Sequence, residues 1–307
     1  MFRIAHIADL HVRSRTGPDW RTVLFTKRVT GCANLLLRRG RVHRREFLQA
    51  VLKTASQGVD HCVITGDLAN LALESEFAEA ESLLDGVART VEVTVVPGNH
   101  DLYVPPVFRE RRFPGHFGRF LRSDLPALAR DLPAGPYPCV KLRGPVAIIG
   151  VSSAVPRPPF VAAGSVGAEQ LAALTAVLAH PAVAARTPVI LIHHPPIDRR
   201  CRLVRLRDGL RDDAAFQGAL QPVARGLVLS GHLHVRVRCR MRTTAGSLDV
   251  VTASGAALDH ADRTVRAGFN RYGIGDDGEI RTIEAYVLDE SGRACERTAI
   301  PERPACA

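Results

Sequence analysis

The chain has no long hydrophobic run. Nothing in its 307 residues approaches the roughly 18 to 20 apolar positions of a membrane-spanning helix, and the longest runs, such as residues 91–96, are strand-sized. Paired cysteines are missing as well: seven are scattered at positions 32, 62, 139, 201, 239, 295 and 306 with no Cys-x-x-Cys, which argues against a zinc knuckle or a disulfide framework. The residues after Met1 turn polar too quickly for the apolar region of a signal peptide, so reduced thiols and a cytoplasmic protein are expected. Linkers rich in Pro or Ser and internal repeats are also absent, which predicts one domain over 1–290 and a tail, 291–307, that carries no readable signal. At 46% hydrophobic and 23% charged, the composition excludes disordered, collagen-like and coiled-coil classes.

Lysine is scarce too. Lys27, Lys53 and Lys141 are three of 41 basic residues, set against 31 acidic ones, so arginine carries the net charge of +10. Its distribution matters more than its number, because residues 13–45 hold ten basic side chains and one acidic one, Asp19, for a local charge of +9.

What is present is a repeating pattern. Short apolar, β-branched runs end abruptly in Asp, Asn or His, as buried strands do when their carboxyl ends open into a site. Residues 2–8 end in Asp9-Leu10-His11, 62–65 in Gly66-Asp67, and 93–96 in Pro97-Gly98-Asn99-His100-Asp101. Residues 189–192 end in His193-His194-Pro195-Pro196, and 227–229 in Ser230-Gly231-His232-Leu233-His234. Helical stretches fall between them at 46–57, 74–87, 168–180 and 212–224, and strands at 248–253, 269–274 and 279–288 close the chain around the turn at 275–278. Alternation of this kind predicts an α/β layered fold with ligands at the carboxyl ends of the strands.

Asp9, His11, Asp67, Asn99, His193, His232 and His234 offer oxygen and imidazole ligands without thiolate, a set suited to Mn²⁺, Fe, Zn²⁺ or Co²⁺. Seven ligands are too many for one ion. Asp67 can bridge two metals, an arrangement that clamps the attacking and leaving oxygens of phosphoryl transfer and lowers the pKa of a bound water toward about 7. His100 is then placed to protonate or stabilise a leaving group, with Asp101 holding its ring. Each cluster alone has a plainer reading as a turn or as exposed histidines, but five in order at strand ends do not.

The chain resembles the calcineurin-like metallophosphoesterase family, whose signature D-x-H, G-D, G-N-H-D, H and G-H-x-H stands here as Asp9-x-His11, Gly66-Asp67, Gly98-Asn99-His100-Asp101, His193 and Gly231-His232-x-His234. The resemblance implies a four-layer α/β/β/α sandwich with two mixed sheets, a helical insertion after the first strand, and a phosphodiesterase or pyrophosphatase activity that uses two divalent ions, Mn²⁺ foremost. Asp9, His11 and His234 would hold one ion, Asn99, His193 and His232 the other, with Asp67 between them and His100 as the catalytic histidine. His194 would support the ligands or face substrate. Where many family phosphatases read G-D-x-x-D-R, this chain reads Gly66-Asp67-Leu68-Ala69-Asn70. That form, with His193-His194-Pro195-Pro196, is closer to bacterial cyclic-nucleotide and glycerophosphodiester phosphodiesterases.

Within 13–45, Phe25, Val29, Cys32 and Leu36 form a helical stripe flanked by Lys27-Arg28 and Arg38-Arg39-Gly40-Arg41. Three readings are open: a helix on an anionic membrane surface, a lid over the metals, or a helix packed on the sandwich with a solvated basic rim. The same stretch resembles, more weakly, bacterial enzymes that include a UDP-2,3-diacylglucosamine pyrophosphatase, so a nucleotide-lipid diphosphate stands beside a cyclic nucleotide or small diester as candidate substrate. Arg199 and Arg200, in the basic stretch after His194, and Arg109, Arg111 and Arg112 after Asp101 are expected near substrate phosphate. A nuclease of the same fold and a non-catalytic scaffold are the alternatives. No long helical module lies between Asp101 and His193, so nucleic acid is not expected as partner, and oligomeric state is not legible.

Overall fold

The computed structural model describes residues 1–13 and 43–303. The expected stripe at Phe25, Val29, Cys32 and Leu36 lies outside them. Among the described residues the five cysteines form no disulfide, and no helix is long and apolar enough to cross a membrane.

Two six-stranded sheets stack face to face. In the first, β1 (Phe2–Ile7), β2 (His61–Thr65) and β3 (Glu92–Val96) run parallel, with Ile4 opposite His61 and Cys62 opposite Val93. The other side of β1 pairs antiparallel with β12 (Gly268–Ile274), followed by β13 (Ile280–Leu288) and β14 (Cys295–Thr298). In the second sheet β7 (Val146–Gly150), β8 (Thr187–Leu191), β9 (Arg225–Ser230) and β11 (Ser247–Thr252) are parallel, with β6 (Cys139–Arg143) and β10 (Val237–Arg242) antiparallel at the edges. A small hairpin, β4 (Arg130–Leu132) and β5 (Gly135–Tyr137), precedes β6.

Side chains alternate across a strand, and this assigns the layers. Val189 and Leu191 of β8 join the core between the sheets with Ile148, Leu227 and Leu229. Ile190, Ile149 and Val228 point the opposite way, into a second core. Helices cover both outer faces. α1 (Arg45–Ala55) buries Phe47, Leu48, Val51, Leu52 and Ala55, a one-sided helical stripe, and α2 (Glu74–Ala88) buries Phe77, Ala80, Leu84 and Val87. Three short helices follow β3: α3 (Asn99–Leu102), α4 (Pro105–Arg109) and α5 (Arg112–Phe117). On the far side α6 (Ala168–Ala179), α7 (Pro181–Ala184) and α9 (Asp213–Ala219) cover the second core with Leu174, Val177, Val183 and Phe216, while α8 (Arg202–Asp208) buries no residue. The result is the expected α/β/β/α order.

Two expectations change, and one strand is new. The helix expected over 212–224 stops at Ala219, because Leu220 and Gln221 close tight turns and Pro222 disfavours a helical residue before it. The expected signal-free tail holds β14, which pairs with β13, and Ile300 reaches the core. β10, which no sequence expectation covered, is an edge strand in which Arg238, Arg240 and Arg242 alternate with Val237, Cys239 and Met241.

Candidate functional site

Five loops leave the carboxyl ends of β1, β2, β3, β8 and β9 along one edge of the sandwich. The loop after β1 lies beside the loop after β2, since Asp9 N donates to Gly66 O at 3.0 Å, His11 N to Asp67 O at 2.9 Å and Val12 N to Leu68 O at 2.8 Å. Eight non-glycine residues among those described have left-handed backbone, and Asp9, His11, Asp67, His232 and His234 are five of them, with φ between +45° and +69°. Each such residue costs about 1–2 kcal/mol and persists only where its surroundings over-determine it. The motif glycines are set by close approach. A Cβ on Gly66, at φ +90°, would stand 2.7 Å from His193 Nδ1, and one on Gly231 would stand 2.6 Å from Asp9 Oδ2.

These loops bring all seven sequence-identified ligands together in two halves. In one, His11 Nε2 and His234 Nε2 face each other at 3.1 Å, with Asp9 Oδ1 3.3 Å from His234 and Asp67 Oδ2 3.7 Å from His11. In the other, Asn99 Oδ1 lies 3.0 Å from His193 Nε2 and 2.9 Å from His232 Nδ1, and Asp67 Oδ1 is 3.5 Å from His193. The far nitrogens fix the tautomers: His193 Nδ1 donates to Thr65 O at 2.7 Å, and His232 Nε2 to Asp208 O at 2.7 Å. A carbonyl only accepts, so in the neutral rings the inward nitrogens carry lone pairs, aimed at another acceptor. Burial, reinforced by the neighbouring His194 and His193, holds His232 well below the usual imidazole range and so neutral. Burial works against the Asp9 carboxylate, but His234, His193 and the His232 amide outweigh it and lower its pKa. Acceptors converging on acceptors in a buried cradle fit divalent cations, and Asp67 reaches both halves.

His100 and Asp101 differ from expectation. The carboxylate of Asp101 does not hold the His100 ring. It accepts from Leu68 N, Ala69 N and Gly98 N at 3.2, 2.8 and 2.8 Å, tying the loops after β2 and β3 together. Burial first, and the charge of Asp67 second, push it up to about 7 against those three amides. The ring of His100 is held instead by the backbone carbonyl of Asn70, which accepts from Nδ1 at 2.7 Å. Glu76 fixes that turn in its place by accepting from Asn70 N, Leu71 N and Leu73 N.

Of the two readings of His194, the geometry favours support of a ligand over contact with substrate. His194 is fully buried, its Nε2 donates to Ala162 O at 2.8 Å and its Nδ1 accepts from Ser153 Oγ at 2.8 Å, so neither nitrogen is available to substrate. It supports His232, 4.4 Å away between ring centroids. Arg200 is bound by Asp198, Nη2 to Oδ2 at 2.7 Å, and Arg199 is exposed beside it. Arg111 pairs with Asp131 and Arg112 with Glu110, which turns both away from the ligand cluster. One histidine escaped the motif pattern. His43 is buried 5.0 Å from His11 and 6.1 Å from His234, seated by bridge pairing with Leu258. A lone His amid arginines carries no periodic signal, and a supporting carbonyl such as that of Asn70 carries none at all.

Comparison with known proteins agrees with this geometry. The family profile of calcineurin-like phosphoesterases matches residues 2–236. A probable cyclic nucleotide phosphodiesterase of Rhodococcus erythropolis is 28% identical over 256 residues, covering 80% of this chain and 72% of its own. Among solved structures, a dimetal phosphatase from Danio rerio superposes with a TM-score of 0.55 at 16% identity, covering 88% of this chain and 92% of that one. A purple acid phosphatase from yellow lupin gives 0.54 at 12% identity over 98% of this chain and 54% of its own, and at such identities the likeness speaks for the fold. The family match runs from β1 through the loop of His232 and His234 and so contains every strand end that carries a ligand; the chain belongs to the calcineurin-like phosphoesterases and is a metal-dependent phosphoesterase.

Proposed function

We propose that the enzyme cleaves a small phosphodiester, with cyclic nucleotides as the substrate class. The carrying observation is the similarity to the Rhodococcus phosphodiesterase over 80% of the chain, the part that holds the site. The turn Gly66–Asn70 agrees with it, since it replaces the Asp and Arg of many family phosphatases and contributes the carbonyl that orients His100.

Asp9, His11, Asp67 and His234 would hold one divalent ion, and Asp67, Asn99, His193 and His232 the second, with Mn²⁺ the ion expected. When bound, the ions supply Lewis acidity and the charge that favours in-line attack of water on phosphorus. His100 donates from Nδ1 to Asn70 O, which leaves Nε2 to carry the proton to the departing oxygen. Asp101 locks the two loops that carry Asp67 and Asn99, and Arg199 is the arginine placed to meet substrate charge. The enzyme works in the cytoplasm as one domain, with residues 13–45 inserted.

The test is mass-spectrometric product release by Mn²⁺-loaded protein from cyclic AMP, and from UDP-2,3-diacylglucosamine in detergent micelles. AMP release is expected. UMP release without AMP would overturn the assignment and make the enzyme a pyrophosphatase acting on a nucleotide-lipid diphosphate.

A further inference from the structure

Large exposed hydrophobic side chains are few among the described residues: Met1, Phe160, Leu203 and Leu206. Three of them lie on two neighbouring segments. Leu203 is 79% and Leu206 53% exposed on α8, a helix with no buried residue, and Phe160 is 77% exposed. The Phe160 loop lies alongside α8, because Ala162 N donates to Arg207 O at 2.9 Å and Gly164 N to Gly209 O at 3.0 Å. Clustered apolar side chains in water mark a contact surface.

The charge around them says what kind. Arg202 and Arg205 flank the leucines along α8, while the nearby acids are already engaged, Asp198 by Arg200 and Asp208 by Arg207. A cavity of about 490 Å³ adjoins them, lined by Arg202, Arg205, Leu206 and Arg211, and of the carboxylates at its wall Asp198 is held by Arg200 and Asp213 caps Ala214 N. Apolar side chains ringed by guanidiniums match an anionic bilayer interface, where the apolar groups enter the acyl boundary and the arginines meet phosphate.

We propose that α8 and the Phe160 loop dock the enzyme on an anionic phospholipid surface. The face is wired to the metal edge, since Asp208 O at the end of α8 accepts from His232 and Ala162 O from His194. Docking therefore sets the ligand-bearing edge beside the bilayer. The inference stands on residues separate from those assigned to hydrolysis and does not depend on which ester is cleaved.

The test is flotation of the full-length protein with phosphatidylcholine vesicles, with and without phosphatidylglycerol. Wild type should float with the anionic vesicles, and less so as salt rises. Leu203→Ser combined with Leu206→Ser should lower partitioning by about tenfold or more, and Arg202→Glu with Arg205→Glu should do the same, while turnover of a soluble chromogenic diester stays unchanged. Wild type that ignores anionic vesicles, or leucine and arginine variants that float as wild type does, would overturn the proposal. So would light scattering that shows a wild-type dimer and a monomeric leucine variant, since the face would then be covered by a second copy of the chain.

Discussion

The two ends of β2 and β3 follow opposite charge logic. At the amino ends, Glu92 accepts from Lys141 Nζ at 2.8 Å and from Arg143 Nε at 2.6 Å, with His61 at 3.5 Å. That cluster ties the edge strand of one sheet, β3, to the edge strand of the other, β6, and Asp124, which accepts from Arg143 Nη1 at 2.7 Å, balances its second cation. At the carboxyl ends, Asp67 and Asn99 meet the inward nitrogens of His193 and His232, which are themselves acceptors, a cluster that fits cations. One end holds the sheets together with the protein's own charges. The other leaves a deficit for a ligand to fill.

The largest test of this contrast exchanges damage between the ends. Asp67→Ala should lower diester hydrolysis by about a thousandfold or more and reduce bound metal measured by mass spectrometry. Glu92→Gln should leave both within about twofold, since it lies outside the reaction. Next in size, His100→Ala should retain both metals yet lose rate by about a hundredfold on poor leaving groups, and less on good ones. Equal losses on both would remove His100 as the acid. Chelation sharpens the contrast further. Stripping metal held at about a hundred times its Kd should cost about 2.7 kcal/mol of stability, and the melting-point deficit of Glu92→Gln should be the same before and after. The smallest effect is the Glu92 deficit itself, about 1–2 kcal/mol after allowance for its partial exposure. His61, Arg143 and Lys141 together hold the Glu92 carboxyl well below its ordinary value of 4.5 despite partial burial. Its contribution is therefore complete above that pH and drains away as pH falls through the folded value, so Glu92→Gln should flatten the acid limb of the melting curve below about pH 5.

The two ends were not equally legible. Asp, Asn and His at the termini of buried apolar runs stand out because a strand buried on both faces has no other use for them, and the seven side chains so grouped are neighbours in the fold. Glu92, Lys141 and Arg143 show no such pattern, since their pairing depends on how two sheets stack. Asp101 misled because adjacency to His100 suggests contact, whereas the short helix α3 turns its carboxylate inward to backbone amides. β10 and β14 gave no strand signal, because on an edge strand the exposed face tolerates charge and the period-2 alternation of apolar residues is masked.

The left-handed backbone at Asp9, His11, Asp67, His232 and His234 has a consequence for the order of assembly. Strands β1, β2 and β9 beneath these residues are buried and hydrogen-bonded without help from any cation, and Asp9, His11 and Asp67 at the strained rim are themselves buried and tied by backbone hydrogen bonds between the loops. Sheet formation and metal loading are then separable events. The strain at the rim is therefore balanced by contacts the polypeptide makes with itself, so the ligand cradle takes its shape before any ion would enter it.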